Sequence, residues 1–175
     1  PRSNGTWARL PANGRVLEVG VGSGLNFPYY EQATELVGID PDAHLLKKAG
    51  RRARKCSFPV HLEAGDAENL PFPDASFDTV VATLVFCSVP DAVRGLREMR
   101  RVLKPGGRLR LLEHVRSEKP RTARFQDFIT PAWRRISGGC HMNRDTVARV
   151  REAGFTLDEM NRYNAMVVMA GHSAA

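Results

Sequence analysis

The sequence predicts an α/β fold: a doubly wound, mostly parallel sheet of about seven strands with an antiparallel edge strand. Three observations predict it. Short apolar runs alternate with stretches of helical periodicity from residue 15 onward, the pattern of parallel strands joined by crossover helices. The first run passes straight into a glycine-rich turn, Val16-Leu-Glu-Val-Gly-Val-Gly-Ser-Gly24. The last two runs are separated by a turn too short for a crossover, so they form a hairpin and one of them is antiparallel.

The elements follow in order. Residues 1–14 contain Pro1, Gly5, Pro11 and Gly14 and read as an irregular lead-in. The first strand spans about 15–19. Gly20, Gly22 and Gly24 supply the turn after it, because glycine adopts positive φ and lets a ligand lie against bare backbone. A short helix is expected over 25–32, interrupted early by Pro28, with its N-terminal N–H groups aimed at the same spot. The next strand, Glu35–Ile39, ends at Asp40, twenty residues after Gly20. That is the distance at which an acid binds ribose hydroxyls in nucleotide-binding βαβ units. Pro41 and Asp42 open a helix with Ala43, Leu46, Ala49 and Ala53 on one face. Lys47, Lys48, Arg51, Arg54 and Lys55 make its other face basic.

A third strand spans 59–63 and leads into a turn-rich loop over 64–73. A fourth, 76–83, is apolar enough to be buried on both faces. The helix after it carries Pro90 near its first turn, where a missing N–H costs nothing. Ala92, Leu96, Met99 and Leu103 form its apolar stripe, and Pro105-Gly-Gly107 stops it. A fifth strand spans 108–115. Residues 144–153 form another helix, and strands at about 155–160 and 165–170 complete the sheet. The arrangement is Rossmann-like and accounts for the whole chain, 1–175, as one domain.

Composition sets limits on function. The 175 residues suffice for one core, and 42% apolar with 26% charged content is ordinary for a globular domain. No apolar run approaches the roughly 18 residues of a membrane span. The chain begins at Pro1 without a methionine, so an anchor or targeting segment can precede it. Net charge is +7, unevenly spread. Residues 1–90 hold 9 Lys/Arg and 10 Asp/Glu, a net of −1, whereas residues 91–151 hold 16 and 6, a net of +10. The basic half suits an anionic surface or partner, or is a set of solvated arginine faces. Cys56, Cys87 and Cys140 are odd in number and far apart, which argues against a disulfide scaffold and fits the cytoplasm. Cys140-His141 is the only close Cys/His pair and no second such pair has metal-ligand spacing, so spacing predicts no metal site.

The glycine turn itself narrows the ligand. Its spacing is G-x-G-x-G, and Leu25 stands where the third glycine of a dinucleotide fingerprint would fall. Glu18, two residues before the first glycine, suits a cationic ligand and would repel a pyrophosphate. Glu18-Val-Gly-Val-Gly-Ser-Gly24 resembles the first motif of class I S-adenosylmethionine (SAM) methyltransferases. Three further blocks follow in order: Gly38-Ile-Asp-Pro41, Gly65-Asp-Ala-Glu-Asn-Leu-Pro-Phe-Pro-Asp-Ala-Ser-Phe-Asp78, and Arg101-Val-Leu-Lys-Pro-Gly-Gly107. Together they resemble the methyltransferases related to the ubiquinone/menaquinone C-methyltransferases, over roughly residues 15–170. Thr83-Leu-Val-Phe-Cys-Ser-Val89, Glu113-His-Val115 and the stretch from Pro131 to Thr146 are similar to the microsomal alkyl thiol S-methyltransferase branch.

The resemblance implies a bound SAM and a role for each matching position. Glu18 and the backbone of Gly20, Gly22 and Gly24 would hold the methionyl end. Asp40, followed by Pro41, would accept from the ribose hydroxyls. Asp66 would accept the adenine amino group, with the Ala67 N–H on the ring. Thr83 and Leu84 would line the methyl donor. Asp40 and Asp66 also suit turn-capping, a common role for aspartate.

Residues 116–143 form an insertion longer than a usual crossover and are expected to cap the substrate. Phe125, Phe128, Ile129, Ala132, Trp133 and Ile136 recur there at helical spacing, flanked by Arg121, Arg124, Arg134 and Arg135. Pro131 is expected to split the segment into two short helices. Such a stripe is a lid over an apolar pocket, a helix lying on an anionic membrane, or core packing. Methyl transfer from a sulfonium needs alignment and exclusion of water. A thiol acceptor, with pKa near 8.5, also needs help to ionise. His114, at the end of the fifth strand, and His141, near the end of the insertion, are the candidate bases; each also suits a structural role.

Four functions remain in view. One is methyl transfer to a small apolar acceptor such as a thiol. Another is N-methylation of a phosphatidylethanolamine-type lipid, with peripheral contact to an anionic membrane. A third is SAM binding without catalysis. Nucleic-acid methylation is disfavoured: Thr83-Leu-Val-Phe86 stands where an Asn/Asp-Pro-Pro-Tyr motif would be expected, a Pro-Cys nucleophile is absent, and no RNA-binding module fits in the remaining length.

Overall fold

The computed structural model describes residues 11–163 and 165–173. The lead-in expected at the start of the chain lies outside them as far as residue 10. Seven strands and four α-helices alternate: β1 (Asn13–Val19), β2 (Gln32–Asp40), α1 (Ala43–Ala53), β3 (Val60–Ala64), β4 (Phe77–Thr83), α2 (Ala92–Val102), β5 (Leu103–His114), α3 (Pro120–Ile136), α4 (Thr146–Glu152), β6 (Phe155–Tyr163) and β7 (Met166–Ser173). All seven strands join one sheet in the order β3-β2-β1-β4-β5-β7-β6. The first five pair in parallel, and β7 is antiparallel to both neighbours. The antiparallel strand therefore lies one position in from the edge, and β6 forms the edge itself.

The strand order reverses between β1 and β4. A crevice at the carboxyl ends of those two strands is where an open α/β sheet binds ligands. Burial explains why β1 and β4 hold the centre. Leu17, Val19, Val80 and Ala82 face one core beneath Leu96 and Met99 of α2 and Val147 and Val150 of α4. Val16 and Val81 face the other, with Leu36 and, from α1, Ala49. A strand covered on both faces is apolar throughout.

Helices α1, α2 and α4 each start on an aspartate that accepts backbone N–H bonds left over in the first turn. Asp42 accepts from His44 and Leu45 at 2.7 and 3.2 Å, Asp91 from Arg94 at 3.0 Å, and Asp145 from Ala148 at 3.0 Å. Pro90 precedes the α2 cap instead of lying in its first turn. After Val102 the chain turns directly into β5, so the Lys104–Gly107 stretch ends the helix and already belongs to the strand.

Two expected helices differ. The segment after the glycine turn forms a single 3-10 turn, Phe27–Tyr29, and no α-helix. Pro28 lies inside this turn and cannot donate, and β2 begins only three residues later. The glycine loop thus has no helix N-terminus behind it. Conversely, the insertion forms one continuous helix through Pro131. Proline removes the donor that the Asp127 carbonyl would use, but the buried side of α3 is held independently. Gln126 accepts from the Ser117 N–H at 2.7 Å and donates to the carbonyls of Val115 (3.1 Å) and Met142 (3.0 Å).

Candidate active site

The glycine loop is shaped by positive φ at Gly20, Gly22 and Gly24. At Gly20 a Cβ would collide with the Val85 side chain, whereas a Cβ at Gly22 would meet nothing within 4 Å. The Gly20 N–H and the Val21 N–H share the Ile39 carbonyl (2.8 and 3.0 Å). The Gly22 N–H donates to Asp40 Oδ2 at 2.8 Å. Asp40 Oδ1 accepts from the Asp42 N–H at 2.9 Å, so this carboxylate ties the loop to the end of β2 and caps the turn beyond it. Each of its oxygens keeps a second lone pair for a ligand hydroxyl. Asp66 Oδ1 accepts from the Glu68 N–H at 2.9 Å, a turn-capping bond of the same kind, and Ala67 beside it is buried.

Glu18 is fully buried beneath the loop. Its Oε1 accepts from Asn26 Nδ2 at 2.7 Å, and the same amide reaches Thr83 Oγ1 at 3.2 Å. Asn26 thus couples the ends of β1 and β4. Glu18 Oε2 and the Tyr30 hydroxyl are buried with no hydrogen-bond partner among the described residues. Burial raises the Glu18 pKa from 4.5 to about 8, against the opposing pull of the Asn26 amide and of the Tyr30 hydroxyl, which stands close by but outside hydrogen-bond geometry. Burial and the Glu18 charge likewise push the Tyr30 phenol above its ordinary range. An unpartnered carboxylate oxygen costs on the order of 1–3 kcal/mol, and a cationic group donating to it would remove that cost.

At the end of β4, Leu84 takes φ +57° and is exposed, a strained conformation for a bulky residue that often marks a functional site. The next three N–H groups converge on one buried carboxylate. Val85 and Phe86 donate to Glu113 Oε1 (2.9 Å each), and Cys87 donates to Oε2 (3.2 Å). Burial outweighs these three bonds and raises the Glu113 pKa to about 7.

The two candidate histidines have different partners. His114 Nδ1 is 3.5 Å from Cys140 Sγ, and its carbonyl accepts from Thr146 Oγ1 at 3.2 Å. His141 binds the Cys87 carbonyl through its backbone N–H (2.7 Å), and its Nδ1 lies 3.2 Å from the same oxygen. Burial lowers the pKa of both, assisted at His141 by the Arg144 charge. His141 is thereby engaged in holding the return segment to the β4 turn. Arg144 reinforces that clasp, donating to the carbonyls of Phe86 and Val89 at 2.6 Å each. Residues that are far apart in the sequence also converge here: the ligating atoms of Cys87, His114 and Cys140 all lie within 4.8 Å of one another.

Residues 17–111 match the model of the methyltransferase domain family. This chain belongs to the SAM-dependent methyltransferases. Thiol S-methyltransferase TMT1B of Homo sapiens is 35% identical over 157 residues, covering 86% of this chain and 64% of that protein. Phosphatidylethanolamine N-methyltransferase of Cereibacter sphaeroides is 41% identical over 108 residues, covering 61% of this chain and 53% of that protein. The YcgJ protein of Bacillus subtilis shares the methyltransferase fold, with a TM-score of 0.77 at 18% identity over 96% of this chain and 95% of that chain. The chain spans about three fifths of the length of the curated relatives it matches first.

The residues present fit the methyl donor of the family. The orphaned Glu18 oxygen and Tyr30 hydroxyl suit the ammonium of its amino-acid end, and the open space at Gly22 leaves the loop accessible. Glu18, Gly20, Gly22, Asp40 and Thr83 are brought together around the β1–β4 switch point by the bonds described. Gly24 closes the same loop, its N–H on the Val21 carbonyl at 3.0 Å, and Pro41 lies between Asp40 and the α1 cap. Asn26, Tyr30 and Glu113 escaped sequence reasoning as site residues. For Glu113 a signal existed: it is an acid inside an apolar strand, Leu111-Leu-Glu-His114.

Proposed function

We propose that this chain transfers the SAM methyl group to a small, apolar acceptor, with a thiol as the favoured class. The buried, unpartnered oxygen of Glu18 beside an open glycine loop carries the reading of a cationic amino-acid ligand. When bound, the donor supplies an electrophilic methyl on a sulfonium. The protein's part is to orient it, exclude water and help the acceptor lose its proton. Asp40 would accept from the ribose hydroxyls, Asp66 from the adenine amino group with the Ala67 N–H on the ring, and Leu84 would line the donor's reactive end. His114, whose imidazole burial keeps neutral, is the group placed to assist an acceptor at the carboxyl end of β5. The likeness to a thiol S-methyltransferase over most of the chain supports the thiol class.

Lipid amine methylation is the second reading. It is favoured by the face that α3 presents: Phe125, Phe128 and Ile136 are 61%, 83% and 81% exposed, with arginines among them. Core packing does not account for these three residues, because α3 turns Ala123, Gln126 and Thr130 inward instead. Among the described residues no helix is long and apolar enough to cross a membrane.

A SAM-consumption screen over alkyl thiols, phospholipid amines, quinol precursors and amines tests both. Thiols should turn over fastest. Asp40→Ala and Asp66→Ala should weaken SAM binding measured by calorimetry. His114→Ala should lower kcat at least tenfold with SAM affinity nearly intact. SAM bound without turnover of any acceptor would make the chain a binding protein instead.

A further inference from the structure

Cys87 lies in the turn after β4, His114 ends β5, and Cys140 lies in the return segment after α3. Three distant stretches thus deliver two thiols and an imidazole to one place. Both cysteines are buried, and their sulfurs make only long contacts, Cys87 Sγ to Ser88 Oγ at 3.7 Å and Cys140 Sγ to His114 Nδ1 at 3.5 Å, with Glu113 and Cys140 also beside the Cys87 sulfur. One separation already equals that of a metal centre, and the others are bounded close to it. Tetrahedral zinc, with Zn–S about 2.3 Å and Zn–N about 2.0–2.1 Å, puts a sulfur and a nitrogen about 3.6 Å apart and two sulfurs about 3.8 Å apart. Cys140 Sγ and His114 Nδ1 are 3.5 Å apart, and all three ligating atoms lie within 4.8 Å.

We infer that Cys87, His114 and Cys140 form a three-ligand site for a thiophilic divalent cation of the zinc type, whose fourth position takes the sulfur of the acceptor. The thiol part of this inference rests on the function proposed above. Two sulfurs and one nitrogen select zinc over magnesium or calcium. Three protein ligands with one open position are the pattern of a catalytic zinc and not of a structural one.

The surroundings fit. Glu113 accepts the Cys87 N–H and so orients the turn carrying that ligand. Thr146 Oγ1 holds the His114 carbonyl. Arg144 grips the same turn on both sides of Cys87 and brings positive charge beside it. Loading releases the two cysteine protons and leaves a neutral M²⁺–dithiolate–imidazole unit. An incoming acceptor thiol releases one further proton to solvent and binds as a thiolate. That sulfur then attacks the donor methyl carbon. The new C–S bond forms as the old one breaks, and the breaking bond's electron pair stays on the donor sulfur. The product thioether is neutral, binds the cation weakly and leaves. In this arrangement His114 is a ligand, and the cation replaces it as the means of ionising the acceptor.

The test uses the whole chain, purified under reducing conditions and reconstituted with Zn²⁺ or Co²⁺. One equivalent of Zn²⁺ should survive dialysis, and Co²⁺ should give thiolate-to-metal charge-transfer bands with tetrahedral d–d bands. Cys87→Ser and Cys140→Ser should each weaken Zn²⁺ by more than the roughly 10–100-fold that loss of a mere supporting contact costs. Cys56→Ser, remote from the cluster, should leave it unchanged. Addition of butanethiol should shift the Co²⁺ spectrum, whereas butanol should not. Circular dichroism and SAM calorimetry on each variant report folding separately. Absence of bound metal, equal retention by both serine variants, a Cys87–Cys140 disulfide in the reduced protein, or a Co²⁺ spectrum indifferent to thiol would each overturn the inference. Thiol turnover at full rate after chelation would overturn it while leaving the proposed function standing. Metal binding and a thiol-induced shift without any methyl transfer would uphold the site and refute the function.

Discussion

Glu18 is a carboxylic acid at neutral pH because it is fully buried and its surroundings offer the Asn26 amide, the Tyr30 hydroxyl and no cation. Its pKa of about 8 makes ligand binding proton-linked. A bound ammonium would lower that pKa and expel the proton. SAM affinity should therefore rise with pH up to about 8 and level off above it. Calorimetry in buffers of different ionisation enthalpy should record release of close to one proton at pH 7. Glu18→Gln should abolish that release and weaken binding at least tenfold; an unchanged proton count would exclude Glu18 as the ammonium partner. Glu113 occupies the opposite situation. It is equally buried, but it is surrounded by three N–H donors and serves to fix the turn that carries Leu84 and Cys87. Neither role could be read from residue identity. Glu18 was legible through its offset from the glycines, whereas the partners of Glu113 come from a turn that only folding brings near.

At the scale of elements, α3 is the informative case. Its exposed face is apolar and its buried face is polar, the reverse of an ordinary crossover helix. Periodicity in the sequence identified the stripe correctly but not the direction it faces, because Gln126 reads as a surface residue until its three partners are assembled. Gln126→Leu would leave the Ser117 N–H and two carbonyls without partners. It should destabilise the chain by about 1–3 kcal/mol in chemical unfolding, with faster hydrogen exchange in residues 116–143 than in the sheet. The outward face makes a separate prediction. If it contacts membrane, the chain should co-sediment with anionic vesicles at low salt and lose that binding in Phe128→Asp and at high salt. Binding unaffected by Phe128→Asp would place any contact elsewhere. The start of α1 was legible because Asp42 caps it from an adjacent position, whereas the aspartate caps of α2 and α4 emerge only in the structure. The missing helix after the glycine turn was not legible either, since one proline in a short connection outweighed an otherwise helical composition.

For the molecule as a whole, the raised carboxyl groups dictate how stability varies with pH. Glu18 and Glu113 have folded pKa values of about 8 and about 7, above the ordinary 4.5. The stability they contribute is complete below 4.5 and is lost as pH rises through those values. His114 and His141, with lowered pKa values, act in the opposite sense, but only as pH falls below their ordinary 6.5. Between pH 6.5 and 8 the glutamates act alone. The Tm of the chain without donor should fall across that window, and Glu18→Gln should flatten most of the fall above pH 7. A Tm that rises there would contradict the burial of both groups. The doubly wound sheet was legible from strand and helix periods alone, since each parallel strand had to be followed by its crossover. The cysteine–histidine cluster was not, because it is assembled by the sheet order and no two of its members are neighbours in the chain.

The position of β7 has a consequence for how the protein is made. It pairs with β5 on one side and β6 on the other, yet it is translated after both. On the ribosome β5 carries an open hydrogen-bonding edge, and β6 has no partner at all, until β7 emerges. The strand that ends in His114 therefore stays exposed to stray pairing while residues 115–165 are made, and a nascent chain arrested before Met166 is the form most in need of a chaperone.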